Sequence, residues 1–281
     1  MKKLEVFGAI KLKGQIKISG SKNASLPILA ATLLSDKKIS LTNVPRVKDV
    51  ETMVKLLESM GSKIKKFKNG NSLLIQNNKK IKIEANYNLM STMRAGIIVL
   101  GPLLARFGEA KVSSPGGCSI GVRPINIHLE ALKKMGAQYK IKDGYVYAKA
   151  KNGLNGAKIK FPKISVGATE NLMIAACLAK GQTTLSNCAI EPEIKDLSNF
   201  LISIGAKIKW TGKRQIKIKG VKSFKESNYE IMFDRIEAGT MLIAAATNQN
   251  NFKITGIDPE IISTEINILK KIGAKIIQKK N

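Results

Sequence analysis

The chain has 281 residues, 44% of them hydrophobic, which is enough for one large domain or two smaller ones; its 48 Lys and Arg against 20 Asp and Glu give a formal net charge of +28. No apolar run reaches membrane-spanning length and the opening M-K-K-L-E-V-F-G lacks a signal's apolar core, so a cytoplasmic chain with no membrane span is expected. Three cysteines, no C-x-x-C and a single histidine, His128, argue against a disulfide framework and a Cys/His zinc site, and no metal or other cofactor is expected.

The charge is evenly spread. Only six of the basic residues are arginine (Arg46, Arg94, Arg106, Arg123, Arg214 and Arg235), and the lysines run through every segment, often alternating with isoleucine as in R-Q-I-K-I-K-G. That alternation reads as strands with one wet face. It lacks the basic cluster and interleaved aromatics of a dedicated nucleic-acid surface, so no specific nucleic-acid partner is expected.

In chain order, one pattern recurs every seventy residues or about that. A helix rich in Ala and Gly and apolar nearly all round is predicted at 24–34, and again at 93–105, 168–179 and 236–246. Such helices fit only where they are packed on most sides. A short strand follows, as in K-K-I-S-L-T-N, E-A-K-V-S-S and Q-T-T-L-S-N. Amphipathic helices come next, with apolar positions Val50, Met53, Val54, Leu57 and Met60 in the first copy and Leu197, Phe200, Leu201 and Ile204 in the third. Each stops at a glycine: Gly61, Gly136, Gly205 and Gly273. Of the cysteines, Cys177 lies in an apolar helical run and reads as core, and Cys188 reads as packing or a quiet loop residue. Helices inside and half-wet sheets outside follow from this pattern. A nucleotide-binding crossover fold does not, since neither G-x-G-x-x-G nor G-x-x-x-x-G-K-[ST] occurs.

The stretch S-S-P-G-G-C-S-I-G-V-R-P at 113–124 puts Cys118 in a glycine-rich loop five residues before Arg123. Together with S-G-S-K-N-A around Lys22, M-R at Arg94, S-V-G-A from Ser165, E-P-E at Glu191 and Glu193, and D-R-I-E from Asp234 to Glu237, it resembles the enolpyruvyl transferases, in particular the branch that uses UDP-N-acetylglucosamine. The resemblance runs through essentially the whole chain, in order. It implies an α/β fold, an inside-out α/β barrel of repeated β-α-β-α-β-β units, three per domain, with the active site in the cleft between. The first domain would be 21–229, and an incomplete second domain, with one of its three units, would be 1–20 plus 230–281.

The implied reaction moves the enolpyruvyl group of phosphoenolpyruvate to the 3-hydroxyl of UDP-N-acetylglucosamine and releases phosphate, the first committed step of peptidoglycan synthesis. The resemblance makes Cys118, Lys22 and Arg123 the catalytic residues. A thiol near cations suits proton transfer at the methylene carbon, and the family's cysteine is also the site that fosfomycin alkylates. Lys22 and Arg94 would contact phosphoenolpyruvate, with Asn23 and Arg123 on the sugar nucleotide. Pro124, Ile125, Asn126, Ile127 and His128 would line the UDP pocket, joined by Lys163, Ile164, Ser165, Val166 and Gly167. Glu191 and Glu193 would organise Lys22 or the domain interface, and Asp234, Arg235 and Glu237 would be hinge or domain-contact residues.

The aspartate that acts on the sugar hydroxyl in that family, and the arginines that close over enolpyruvate, match no residue of this chain. A fragment, a chain completed from elsewhere, or one without turnover is expected, and the helix at 236–246 should leave an apolar face open to self-association. Three rivals stand beside this reading. They are a UDP-sugar-binding protein without turnover, a basic nucleic-acid-binding protein, and the related shikimate-pathway transferase, which Cys118 and S-V-G-A disfavour.

Overall fold

The computed structural model describes residues 5, 13–85, 87–90, 94–113, 125–247 and 251–279. The chain divides into two compact units, Ser21–Met232 and a smaller one of Met1–Gly20 with Phe233–Asn281. Strand β1 (Lys13–Lys17) belongs to the smaller unit. The larger unit then runs α1 (Lys22–Ala31), β2 (Ile39–Thr42), α2 (Lys48–Met60), β3 (Ser62–Phe67), β4 (Ser72–Asn77) and β5 (Glu84–Ala85). It continues with α3 (Tyr87–Met90), a 3-10 helix (Arg94–Val99), α4 (Leu100–Phe107), β6 (Glu109–Ser113), α5 (Asn126–Lys134), β7 (Gln138–Lys142), β8 (Tyr145–Lys149) and β9 (Lys158–Lys160). Its last part is α6 (Val166–Ala176), β10 (Gln182–Ser186), α7 (Pro192–Ser203), β11 (Lys207–Gly212), β12 (Gln215–Lys219) and β13 (Ser227–Glu230). The smaller unit resumes with α8 (Arg235–Ala246), β14 (Asn251–Thr255) and α9 (Ser263–Lys271).

Local chemistry sets the helix ends. Ser21 caps α1 by accepting from Ala24 N at 3.3 Å, and Ser165 caps α6 by accepting from Ala168 N at 3.3 Å. The four amphipathic helices end at Gly61, Gly136, Gly205 and Gly273, whose φ values of 107°, 94°, 108° and 101° lie in the left-handed region that a side chain resists. The faces they bury are apolar: Val50, Met53, Val54, Leu56, Leu57 and Met60 on α2 are all core.

In the larger unit, α6 packs against both α1 and α4, and α1 packs against the 3-10 helix that leads into α4. Ala24–Ala31 of α1 and Ala168–Ala176 of α6 are buried throughout. Burial of each large aliphatic side chain there contributes roughly 1.5–3 kcal/mol. Around these helices lie three four-stranded sheets, ordered β13-β2-β4-β3, β5-β6-β8-β7 and β9-β10-β12-β11. In each, a leading strand lies parallel to its neighbour and an antiparallel hairpin completes the sheet. The leading strand of the first sheet is β13, so Ser227–Glu230 at the end of the unit pairs with Ile39–Thr42 at its beginning.

The expected barrel is therefore corrected. The architecture is α/β with mixed, open sheets, and no sheet among the described residues closes on itself. Four strands are too few to close, since even a small barrel needs about eight. Each sheet instead covers helices with one face. The outer edges β3, β7 and β11 carry exposed Lys63, Lys65, Lys66, Lys140, Lys142, Lys207 and Lys209. Charge on an edge strand discourages pairing with another chain, which gives part of the +28 a structural use.

One predicted helix is also revised. The segment 93–105 is not one α-helix, because it is 3-10 from Arg94 to Val99 and α only from Leu100. The side chain of Asn171 on α6 enters the hydrogen-bond ladder there, accepting from Gly101 N at 2.7 Å and donating to Ile97 O at 3.2 Å. An unbroken α-helix would join that pair directly.

The smaller unit pairs β1 parallel to β14 and buries Ile18, Ala238, Ile262 and Ile266. Its helix α8 corresponds in sequence to α1 and α6, yet only Ala238 and Gly239 of it are buried.

Candidate functional site

Lys22 is the first residue of α1, just past the Ser21 cap. Its Nζ lies 3.2 Å from Asp49 Oδ2, both side chains being roughly half exposed. An ion pair that open to water contributes about 0.2–1 kcal/mol, so it orients Lys22 more than it holds the fold. Asp49, in the first turn of α2, was not singled out from the sequence. Asn23 is exposed beside Lys22. The backbone of Arg94 opens the 3-10 helix that leads into α4. Cys118, Arg123 and Pro124 lie outside the described residues.

Two of the predicted segments meet. Ile125 caps α5, with Asn126 exposed and Ile127 and His128 buried in its first turn. The segment 163–167 leads into α6, with Lys163 exposed, Ser165 as the cap, and Ile164 and Val166 exposed to 46% and 39%. A methyl built on Gly167 would stand 3.3 Å from Cε1 and 3.5 Å from Nε2 of His128, so ring and helix start are in contact. Exposed β-branched side chains on either side of a helix cap, with the cap's N–H groups beside them, make a surface with apolar and anion-binding parts together.

His128 is held by Asn171, whose Nδ2 lies 3.1 Å from His128 Nδ1. Burial lowers the His128 pKa to about 4, so the ring is neutral at pH 7. On the residue before Asn171, burial raises the Glu170 carboxyl to about 8, with the charges of Glu193 and Glu191 adding to the shift. Glu191 stands at the N-cap position of α7 without a side-chain capping bond, its Oε2 accepting instead from Ile190 N at 2.8 Å, and Glu193 is buried in the first turn. Asp196 on the same helix accepts from Tyr229 Oη at 2.6 Å, and burial, first among its causes, raises its pKa. The polar run Thr169, Glu170, Asn171 inside a buried apolar helix is the sequence signal for this cluster.

Cys177 and Cys188 are both buried, the Cys177 Sγ lying 3.2 Å from Met173 O, and burial raises both thiols well above the usual range. In the smaller unit, Asp234 caps α8 by accepting from Ile236 N at 2.8 Å and Glu237 N at 3.1 Å. Glu237 in turn accepts from Ser19 N at 3.0 Å and from the Ser19 hydroxyl. Arg235 is the first residue of that helix.

Residues 7–281 match the family model of EPSP synthase (3-phosphoshikimate 1-carboxyvinyltransferase). The UDP-N-acetylglucosamine 1-carboxyvinyltransferase of Pelagibacter ubique is 71% identical over 281 residues, which are 100% of this chain and 67% of that protein. The protein of the same description from Trichlorobacter lovleyi is 48% identical over 276 residues, 98% of this chain and 65% of that protein. Among solved structures, the enolpyruvyl transferase NikO of Streptomyces tendae matches with a TM-score of 0.85 at 19% identity, over 97% of this chain and 65% of that one. An EPSP synthase of Acinetobacter baumannii matches with a TM-score of 0.76 at 20% identity, over 95% of this chain and 60% of that one. At such identities the structures speak for the fold alone. The chain thus spans about two thirds of the length of the relatives it matches. The chain belongs to the EPSP synthase family of enolpyruvyl transferases, among its UDP-N-acetylglucosamine 1-carboxyvinyltransferases.

Proposed function

We propose that this chain serves the transfer of the enolpyruvyl group from phosphoenolpyruvate to the 3-hydroxyl of UDP-N-acetylglucosamine, with release of phosphate, as a cytoplasmic step of cell-wall synthesis. The observation that carries this is 71% identity across all 281 residues to a protein of that activity. In the first step the sugar oxygen bonds to C2 of phosphoenolpyruvate, the hydroxyl proton leaves, and a proton is added at C3. In the second, the bond from C2 to the phosphate oxygen breaks, a proton leaves C3, and an enol ether remains. Cys118 is the proton donor at C3. Lys22, Arg94 and Arg123 hold the anionic groups, guanidinium forks matching phosphate oxygens at two points. Asn23 and residues 124–128 and 163–167 receive the sugar nucleotide, with Ser165 and the start of α6 suited to its pyrophosphate. Glu191 and Glu193 organise Lys22 or the domain interface, and Asp234, Arg235 and Glu237 act as hinge or domain-contact residues. Residues 21–229 act as the three-unit domain, and 1–20 with 230–281 as part of the second.

The test is phosphate release from phosphoenolpyruvate with UDP-N-acetylglucosamine, with and without fosfomycin. Turnover that fosfomycin abolishes in the wild type, and that persists in part but resists fosfomycin in Cys118→Asp, is the expected result. A second reading is favoured by the match to only about two thirds of the relatives' length: sugar-nucleotide binding without turnover. Calorimetry showing UDP-N-acetylglucosamine bound while no phosphate is released would select it.

A further inference from the structure

The amide of Asn171 has only one way to sit. A backbone N–H can only donate, so the atom 2.7 Å from Gly101 N is the oxygen. A backbone carbonyl can only accept, so the atom 3.2 Å from Ile97 O is the nitrogen. Both assignments agree, and the usual ambiguity of an amide flip does not arise. One N–H of Nδ2 is used by Ile97, and the other points at His128 Nδ1, 3.1 Å away. Nδ1 therefore accepts and carries no proton, which places the proton of the neutral ring on Nε2. Asn171 is fully buried and His128 is 7% exposed, so water does not compete at this contact.

We infer that Asn171 is a positioning residue: it holds His128 in the Nε2–H tautomer, so that the ring presents a hydrogen-bond donor beside the start of α6 to an acceptor oxygen of the nucleoside diphosphate. This rests on the reading that residues 125–128 and 163–167 receive the nucleotide. The Cε1–Nε2 edge of the ring is the one in contact with Gly167, two residues past the Ser165 cap. Among the described residues no group accepts from Nε2, and no charged group contributes to the lowered His128 pKa, for which burial is the cause. The same amide fixes the break between the 3-10 helix that begins at Arg94 and α4. One side chain thus ties together three elements that carry ligand-binding candidates.

His128 is the only histidine of the chain, so its imidazole nitrogens give the sole such signals in a long-range nitrogen–proton correlation spectrum. The expected wild-type result is the Nε2–H pattern, unchanged from pH 8 down to about pH 5. Adding UDP should move the Nε2 signal, and His128→Leu should weaken UDP binding about tenfold, as the loss of one hydrogen bond requires. Asn171→Asp keeps an acceptor for Gly101 N but turns a carboxylate to the ring. It should move the proton to Nδ1, raise the His128 pKa above 6.5 and make UDP affinity depend on pH between 5 and 8, by about threefold or more. A wild-type ring with its proton on Nδ1, or one that titrates near 6.5, would overturn the inference without any variant having to fold. UDP binding that leaves the Nε2 signal unmoved would overturn it too. If UDP does not bind the wild type at all, the functional reading fails with it, and phosphate release measured separately tells the two failures apart.

Discussion

Burial acts on two ionisable residues of the packed helices α5 and α6, His128 and Glu170, with opposite consequences for stability. His128 falls from 6.5 to about 4, so between those values the unfolded chain binds a proton that the folded chain does not, and stability drops as pH falls through that window. Glu170 rises from 4.5 to about 8, so the folded chain keeps a proton that the unfolded chain has released, and stability drops as pH rises through that window. At full extent the His128 shift corresponds to roughly 3 kcal/mol and the Glu170 shift to roughly 5 kcal/mol. Glu170→Gln removes the second effect. Denaturant unfolding of that variant should show a gain over the wild type of about 4 kcal/mol at pH 8 and little change at pH 4.5; an equal gain at both values would mean that Glu170 is not held protonated. Neither shift was legible in the sequence. His128 read as a packed or pocket-lining residue; it is packed, but its partner lies 43 positions away on another helix, and no spacing rule links them.

Helix α4 shows the same lesson one level up. The apolar pattern of 93–105 predicts a single helix, and it identifies correctly that residues 96–104 are buried. The break at Leu100 comes from a side chain on α6, which periodicity along one segment does not register. Gly101 is what lets that side chain in, because a methyl there would stand 2.2 Å from Asn171 Oδ1 and 2.6 Å from Asn171 O. Backbone cannot give way as a flexible side chain does. Gly101→Ala should destabilise the chain by about 3 kcal/mol in denaturant unfolding and displace the Asn171 amide from His128, which the single imidazole signal would report. A change under about 0.5 kcal/mol would show that the contact is loose. The glycine stops after α2, α5, α7 and α9, by contrast, were legible, because a helix that ends in the left-handed region favours glycine for a purely local reason.

At the scale of the molecule the charge is the clearest case. Lysines lie along the outer edges β3, β7 and β11 of three different sheets, and this spread predicts a weak field for any polyanion. Binding to duplex DNA should be blind to sequence and lost between about 50 and 200 mM salt; tight binding at the higher salt would restore the nucleic-acid reading. The smaller unit leaves Ile236, Ile243, Ile268, Ile272 and Ile277 between 51% and 83% exposed. Self-association or binding of a hydrophobic dye is expected, and light scattering of a monodisperse, dye-silent monomer would count against it.

Motifs and repeat spacing, both properties of one dimension, were enough to place the chain among the enolpyruvyl transferases and to mark its buried helices, wet strands and glycine stops. Each of those depends on residues close together along the chain. The addition of an edge strand from residues 227–230 to the first sheet, the open sheets in place of a barrel, and the placement of Asn171 between a helix ladder and a histidine depend on residues brought together from afar. Hydrophobic burial is indifferent to direction, and hydrogen bonds are not. The first can be read from composition and period, and the second requires the positions of both partners.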